Sequence, residues 1–293
     1  MIRYEHYIDG TQLPPSSGEF LPTENPYTGK VWAEIARGNR GDAEAAVAAA
    51  QRAFSAGAWP ALTPSERGRM LWRLGDLVVA HAPRLAEIEQ RDNGKLAAEV
   101  VTQVRYMGDY FRYYAGLADK VQSAVIPTDK KGVFAYTRYE PKGVIAIITP
   151  WNSPLTLTSW KLAPALAAGF TAVIKPSEFT SASMIELAKL FTEAGFPNGV
   201  VNVATGPIWV PASVGSPSLT SFVKSISLAT KVSWIERCTR SRDPAWQLWP
   251  VAAKIPETTP LTACSRSASS KTMLGDLPPS SSVTVLKLRA ASS

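Results

Sequence analysis

A doubly wound α/β domain built on a parallel sheet is predicted for the front two-thirds of the chain, on three observations. Val144-Ile145-Ala146-Ile147-Ile148 is an unbroken apolar run, the pattern of a strand buried on both faces, and Thr171-Ala172-Val173-Ile174 and Val200-Val201-Asn202-Val203 repeat it downstream. Helical stretches at 155–168 and 181–194 separate the three runs. Gly169 and Gly195 stand directly after those stretches, where a residue free to turn left-handed ends a helix. Strand, helix, strand, helix, strand is one mononucleotide-binding half of a doubly wound sheet, whose ligands sit beyond the carboxyl ends of the strands.

The elements ahead of that unit read as its cover. Residues 44–56 are Ala-rich, with Asp42 placed to cap them, and Pro64-Ser65-Glu66 opens a second helix through Val79. Pro83, tolerated in a first turn, starts a further helix that Asn93-Gly94 interrupts and that resumes over 95–117. Along that last helix Tyr106, Tyr110, Phe111, Tyr113 and Tyr114 form an aromatic stripe, expected in the core rather than as a base-stacking surface.

Composition narrows the class. With 293 residues, 45% of them hydrophobic, the chain can bury a real core. No apolar run approaches the ~18 residues of a membrane span and the first residues lack the apolar segment of a signal peptide, so a cytoplasmic protein with no membrane partner is expected. Two cysteines, Cys238 and Cys264, have neither disulfide-framework nor metal-ligand spacing, and no metal site is expected. The net charge of +7 raises the question of nucleic acid, but its distribution answers it. From Pro207 onward ten basic residues face four acidic ones, leaving 21 against 20 before it. The excess belongs to a tail without helical periodicity or aromatic platform, so no nucleic-acid partner is expected.

The chemistry lies at the strand ends. Thr149-Pro150-Trp151-Asn152 follows the first strand and Lys175-Pro176-Ser177-Glu178 the second. A Lys and a Glu three residues apart suit the hydroxyls of a ribose, and an Asn amide can donate to a developing oxyanion. Taken alone, Lys175 and Glu178 would be read as a solvated charge pair. Their position beyond a buried strand is what favours a ligand.

Here the sequence resembles a known family. Residues 147–154 (IITPWNSP), 160–169 (WKLAPALAAG), 174–178 (IKPSE) and 193–203 (EAGFPNGVVNV), with 7–10 (YIDG) and 25–29 (NPYTG) upstream, are similar to consecutive, correctly spaced motifs of the NAD(P)-dependent aldehyde dehydrogenases. The resemblance runs from about residue 7 to Gly206 and implies the Rossmann-like sheet of that family, an NAD or NADP cofactor, an aldehyde substrate and homo-oligomeric relatives. Carried over by position, Asn152 is the oxyanion donor and Lys161 a supporting charge near the active site. Ile148, Thr149, Pro150, Trp151 and Asn152 line the cofactor site, with Trp151 a wall for the nicotinamide, while Lys175, Ser177 and Glu178 contact the adenosine ribose. In the family a Cys thiolate attacks the aldehyde, hydride passes to NAD(P), and a Glu-activated water hydrolyses the thioester.

The motifs that carry that Cys and Glu, Gly-Gln-x-Cys and Glu-Leu-Gly-Gly-Lys, do not occur in the 293 residues, and Cys238 and Cys264 match neither. Residues 207–293 do not resemble the family as protein, yet their codons read on the complementary strand, one base out of register, can spell it. Backwards from Thr284 to Leu274 the complement can give Val-Thr-Leu-Glu-Leu-Gly-Gly-Lys-Ser-Pro-Asn, and backwards from Thr259 to Gln247, with Trp246 fixing the last base, it can end in Ala-Thr-Gly-Gln-Ser-Cys. The general base would be encoded opposite Ser281 and the nucleophile opposite Gln247. An inverted gene segment joined near Gly206 is therefore expected. Its consequences would be an incomplete domain over 1–206, a poorly ordered tail over 207–293, Val201 and Val203 left incompletely covered, and a chain that cannot oxidise aldehydes. The competing reading is a non-catalytic nucleotide-binding or subunit-interaction protein.

Overall fold

The computed structural model describes residues 1–207 and the backbone of a strand at 281–287. In chain order the elements are β1 (Ile2–Tyr4), β2 (His6–Ile8), β3 (Thr11–Leu13), β4 (Phe20–Asn25), β5 (Lys30–Ala36), α1 (Arg40–Ser55), a short 3₁₀ turn (Trp59–Ala61), α2 (Pro64–Ala80), α3 (Ala82–Asn93) and α4 (Ala97–Leu117). They continue with β6 (Val125–Ile126), β7 (Val133–Tyr139), β8 (Val144–Ile148), α5 (Pro154–Ala168), β9 (Thr171–Lys175), α6 (Ala182–Ala194), β10 (Val201–Val203) and β11 (Ser281–Lys287).

The three apolar runs form β8, β9 and β10, parallel and side by side in a five-stranded sheet of order β3-β2-β10-β9-β8. Side-chain alternation explains why runs without polar residues are needed. Val144, Ala146, Ile148 and Val173 face α1, where Ala43, Ala46, Ala49 and Ala50 let the helix lie close. Ile147, Ala172, Ile174, Val201 and Val203 face the other way, into the large core that holds the apolar sides of α5 and α6. Helix α2 packs chiefly against α4, α5 and α6, in a second layer, rather than directly on the sheet. Trp59, 1% exposed, closes the core and donates its indole N–H to the Gly169 carbonyl at 2.9 Å.

Several sequence expectations change. The cap of α1 is Asn39, with Asp42 at the third helical position completing a reciprocal capping box, so Asp42 serves one turn inside the end assigned to it. Helix α4 buries Phe111 among the aromatic stripe, while Tyr106 and Tyr113 are 55% and 61% exposed. Tyr110 and Tyr114 are half-buried, tilted against each other with ring centroids 5.0 Å apart, and each meets one of the exposed rings, Tyr106 or Tyr113. Val201 and Val203 are fully covered, because α6 packs on one face of β10 and β2 pairs along its edge, Val203 against Tyr7. That antiparallel addition begins with the β2–β3 hairpin, turned at Asp9 and Gly10 with positive φ of 54° and 80°. Apart from β11, which pairs antiparallel with β7 from Ser281 opposite Tyr139 to Lys287 opposite Val133, the calls on the tail, on its packing and on Cys238 and Cys264 lie outside the described residues.

Candidate functional site

Parallel pairing sets Ile148, the last residue of β8, opposite Lys175, the last of β9. The segments 149–153 and 176–181 therefore leave the sheet at one edge, before α5 and α6 turn back along its face. The Thr149 amide continues the ladder by donating to the Lys175 carbonyl at 3.2 Å. Its hydroxyl, buried at this edge, has no hydrogen-bond partner among the described residues. Thr205 and Gly206 extend β10 to the same edge, where buried His6 accepts the Thr205 amide on Nδ1 at 3.1 Å. A side chain at Gly206, whose φ is +93°, would meet the Gly38 nitrogen at 2.6 Å, so the chain passes here only as glycine.

Lys175 and Glu178 form an ion pair at 3.1 Å, Nζ to Oε2. The lysine side chain is 3% exposed and the carboxylate 35%, so the pair is a buried charge with its counter-charge half turned to solvent. Burial lowers the ammonium pKa, against the attraction of Glu178, which works to raise it. Glu178 is held below the ordinary carboxylate range although burial opposes this, through a backbone hydrogen bond and the lysine charge. Ser177 shapes the loop, accepting the Phe179 amide on its hydroxyl and the Ser181 hydroxyl on its carbonyl.

On the β8 side, Pro150, Trp151 and Asn152 are exposed, Trp151 to 59%. Lys161, about two turns along α5, donates Nζ to the Ile148 carbonyl at 2.7 Å, fixing the end of β8 from the helix that follows it. Asn152 stands on the wall of a cleft of about 510 Å³ between α4 and the start of α5, with Thr102, Gln103, Tyr106, Ser153, Thr156, Leu157 and Trp160. The sequence reading assigned no role to Gln103 or Trp160 and placed Tyr106 in the core.

A second set of residues was also missed. Glu89 and Asp92, both on α3 and 1% and 4% exposed, accept the first amides of the two helices that follow the site loops. Glu89 Oε2 accepts from Leu155 at 3.3 Å and Asp92 Oδ2 from Ala182 at 2.9 Å. Asn93 Nδ2 donates to the Asn152 carbonyl at 3.3 Å, and Lys95 Nζ to Ser153 Oγ at 3.0 Å and to Gln103. Burial raises the Glu89 carboxyl against the pull of Lys95, and raises that of Asp92 to about 7. The signal in the sequence was the cluster Glu89-x-x-Asp92-Asn93-Gly94-Lys95, which reads locally only as a helix end. Among the described residues no group of three His, Cys, Asp or Glu could hold a metal, and no helix is long and apolar enough to cross a membrane.

Three parallel strands whose following loops leave at one edge, a buried Lys–Glu pair on one loop and a cleft beside the other define a doubly wound α/β domain. Comparison with known proteins is specific. The model of the aldehyde dehydrogenase family matches residues 13–217, past the Gly206 boundary read from the sequence, and the chain belongs to that family. It is 47% identical over 206 residues to a (Z)-2-((N-methylformamido)methylene)-5-hydroxybutyrolactone dehydrogenase of Acinetobacter baylyi, covering 70% of this chain and 42% of that protein. To the betaine aldehyde dehydrogenase of Bacillus subtilis it is 41% identical over 205 residues, covering 69% and 41%. Among solved structures it is similar to an NAD-dependent aldehyde dehydrogenase of Sinorhizobium meliloti, with a TM-score of 0.69 at 37% identity, covering 72% of this chain and 42% of that one. An aldehyde dehydrogenase of Bacillus cereus solved with NAD+ gives 0.68 at 41% identity, covering 70% and 42%. The chain thus spans about two-fifths of the length of the relatives it matches.

Proposed function

We propose that residues 1–206 are the cofactor-binding half of an NAD(P)-dependent aldehyde dehydrogenase, and that the 293 residues bind the dinucleotide without oxidising an aldehyde. The observation that carries the reading is the register of Ile148 against Lys175, which brings Asn152 with its cleft and the Lys175–Glu178 pair to one sheet edge. The donor set there fits the cofactor. Glu178 can accept from ribose hydroxyls while Lys175, already desolvated, donates beside it, and the Thr149 hydroxyl, without a partner among the described residues, offers one more polar contact. Ile148, Pro150, Trp151 and Ser177 complete the wall at the same edge. When bound, NAD(P) would supply the hydride acceptor. Free ribose hydroxyls suit Glu178 better than a phosphate would, because the carboxylate repels a second anion, so NAD is the expected form.

To Asn152, on the wall of the cleft, we assign donation of its amide to the oxygen of an aldehyde lying there, the interaction that stabilises negative charge as a nucleophile adds. Lys161 supports that end of the site by tying the β8 terminus to α5. Neither group can replace the thiolate that must attack or the base that must activate water, and no motif for either occurs in the sequence. The absent motifs and the antisense spelling of residues 274–284 and 247–259 together support a rearranged gene, which sequencing the locus tests. The alternative, a non-catalytic nucleotide-binding or subunit-interaction protein that diverged without rearrangement, predicts an ordinary locus. Calorimetric titration with NAD and NADP beside an aldehyde oxidation assay tests the function: binding without turnover is expected, and absence of binding overturns the cofactor assignment.

A further inference from the structure

Helices α5 and α6 each have a serine at the position that ordinarily caps a helix, Ser153 and Ser181, and neither side chain caps. The Ser153 hydroxyl accepts from Lys95 and the Ser181 hydroxyl donates to the Ser177 carbonyl within the loop. The first helical amides go instead to buried carboxyls on α3, Leu155 to Glu89 and Ala182 to Asp92, from 66 and 90 residues away in the chain. Burying two carboxyl groups three residues apart is costly, and a local serine cap, which reaches the second or third helical amide, would satisfy part of each helix end at far smaller cost. What the remote caps provide that local ones do not is a fixed distance between the two helix starts. Both hang from one rigid turn of α3, which packs against α4 and α6. Asn93 adds a bond to the Asn152 carbonyl, and Thr23 of β4 donates to Asp92 Oδ1 at 3.1 Å, holding that turn in place.

We infer that the last turn of α3 is a positioning device for the site: Glu89 sets the loop that carries Asn152, Asp92 sets the loop that carries Ser177 and Glu178, and their shared helix fixes the span between the two. Neither carboxyl touches the reacting atoms; both act through backbone amides. The contact needs an oxygen acceptor at each position and does not need a charge. The functional half of the inference rests on the cofactor reading above, and the structural half does not.

The test is hydrogen exchange on the full chain, read at residues 153–157 and 181–184, together with NAD titration. Glu89→Ala should speed exchange at Leu155 on the order of tenfold and leave Ala182 and Ser183 unchanged, and Asp92→Ala should do the reverse. Glu89→Gln and Asp92→Asn, which keep an acceptor oxygen, should restore the wild-type pattern. If the alanine variants do not fold, Glu89→Met and Asp92→Leu fill the same space without an acceptor and should give the same segment-specific pattern. NAD affinity should fall about tenfold in Asp92→Ala and recover in Asp92→Asn. A wild-type chain that binds no NAD but shows the paired exchange pattern defeats the cofactor reading and supports the device. Exchange that rises in both segments for either variant, or in neither, overturns it, as do amide variants that behave like the alanine ones.

Discussion

Asp92→Asn should make the protein more stable, and only above acidic pH. The carboxyl is 4% exposed, and burial, with the nearby negative charge of Glu89 adding to it, raises it from 3.8 to about 7, against the bonds from Ala182, Thr23 and Ser183. A carboxyl raised in the folded state stabilises the fold fully below its unfolded pKa, near pH 4, and that contribution is lost as pH rises through 7. The gap between 3.8 and about 7 corresponds to on the order of 4 kcal/mol, a large part of the ~5–15 kcal/mol that holds a typical domain together. Asparagine avoids the loss because it never ionises and keeps the geometry: its amide oxygen can accept from Ala182 while its NH₂ donates to Thr23 Oγ1. Urea denaturation followed by tryptophan fluorescence, repeated from pH 4.5 to 8.5, measures the difference. The variant should exceed wild type by a few kcal/mol at pH 8, and the gap should shrink by about 1.4 kcal/mol per pH unit between 7 and 4. Glu89, also raised by burial, and buried His6, lowered by it, titrate in both proteins and cancel to first order. A gap that does not vary with pH, or a variant no more stable than wild type at pH 8, would refute the assignment of a destabilising buried charge to Asp92.

Three further outcomes are expected. The purified chain should oxidise no aldehyde in the presence of NAD or NADP, and turnover abolished by Cys238→Ala or Cys264→Ala would show that a thiolate is used after all. Lys175→Ala should weaken NAD binding by about tenfold, as loss of one charge-assisted contact of on the order of 1.5 kcal/mol implies, whereas Glu178→Gln should raise affinity for NADP relative to NAD; titration of both cofactors reads both effects. Trp59→Phe removes the donor to the Gly169 carbonyl while keeping most of the packing, and should cost on the order of 1–3 kcal/mol by urea denaturation at constant pH.

The parts of the fold that were legible in the sequence are those whose cause is local. Apolar runs without polar alternation gave β8 and β9 because both sheet faces are covered, and Gly169 and Gly195 end α5 and α6 with φ of 96° and 90°, a conformation other residues resist. The three-residue strands β1, β2 and β3 carried no such mark. A strand of three residues has no period to read, and β2 exists because β10 offers it an edge about two hundred residues along the chain. The aromatic stripe of α4 misled for a related reason: helical spacing puts Tyr106 near Tyr110 and Phe111, but whether a face is buried depends on what packs there, and beside Tyr106 that is the cleft. The site divides the same way. Lys175, Glu178 and Asn152 were singled out because strand ends are where ligands bind in such sheets, a rule that needs only the strands, and the structure places all three beyond the ends of β8 and β9. Glu89 and Asp92 could not be found so. A sequence reader choosing caps for α5 and α6 takes the adjacent serines, and the carboxyls that do the capping are identified only once the fold has brought α3 against both helix starts. Residues that act through distant amides leave no spacing behind. Their trace in the sequence is an unexplained cost, two acidic side chains on a helix that has to be buried, and that cost becomes interpretable when the amides they accept are known.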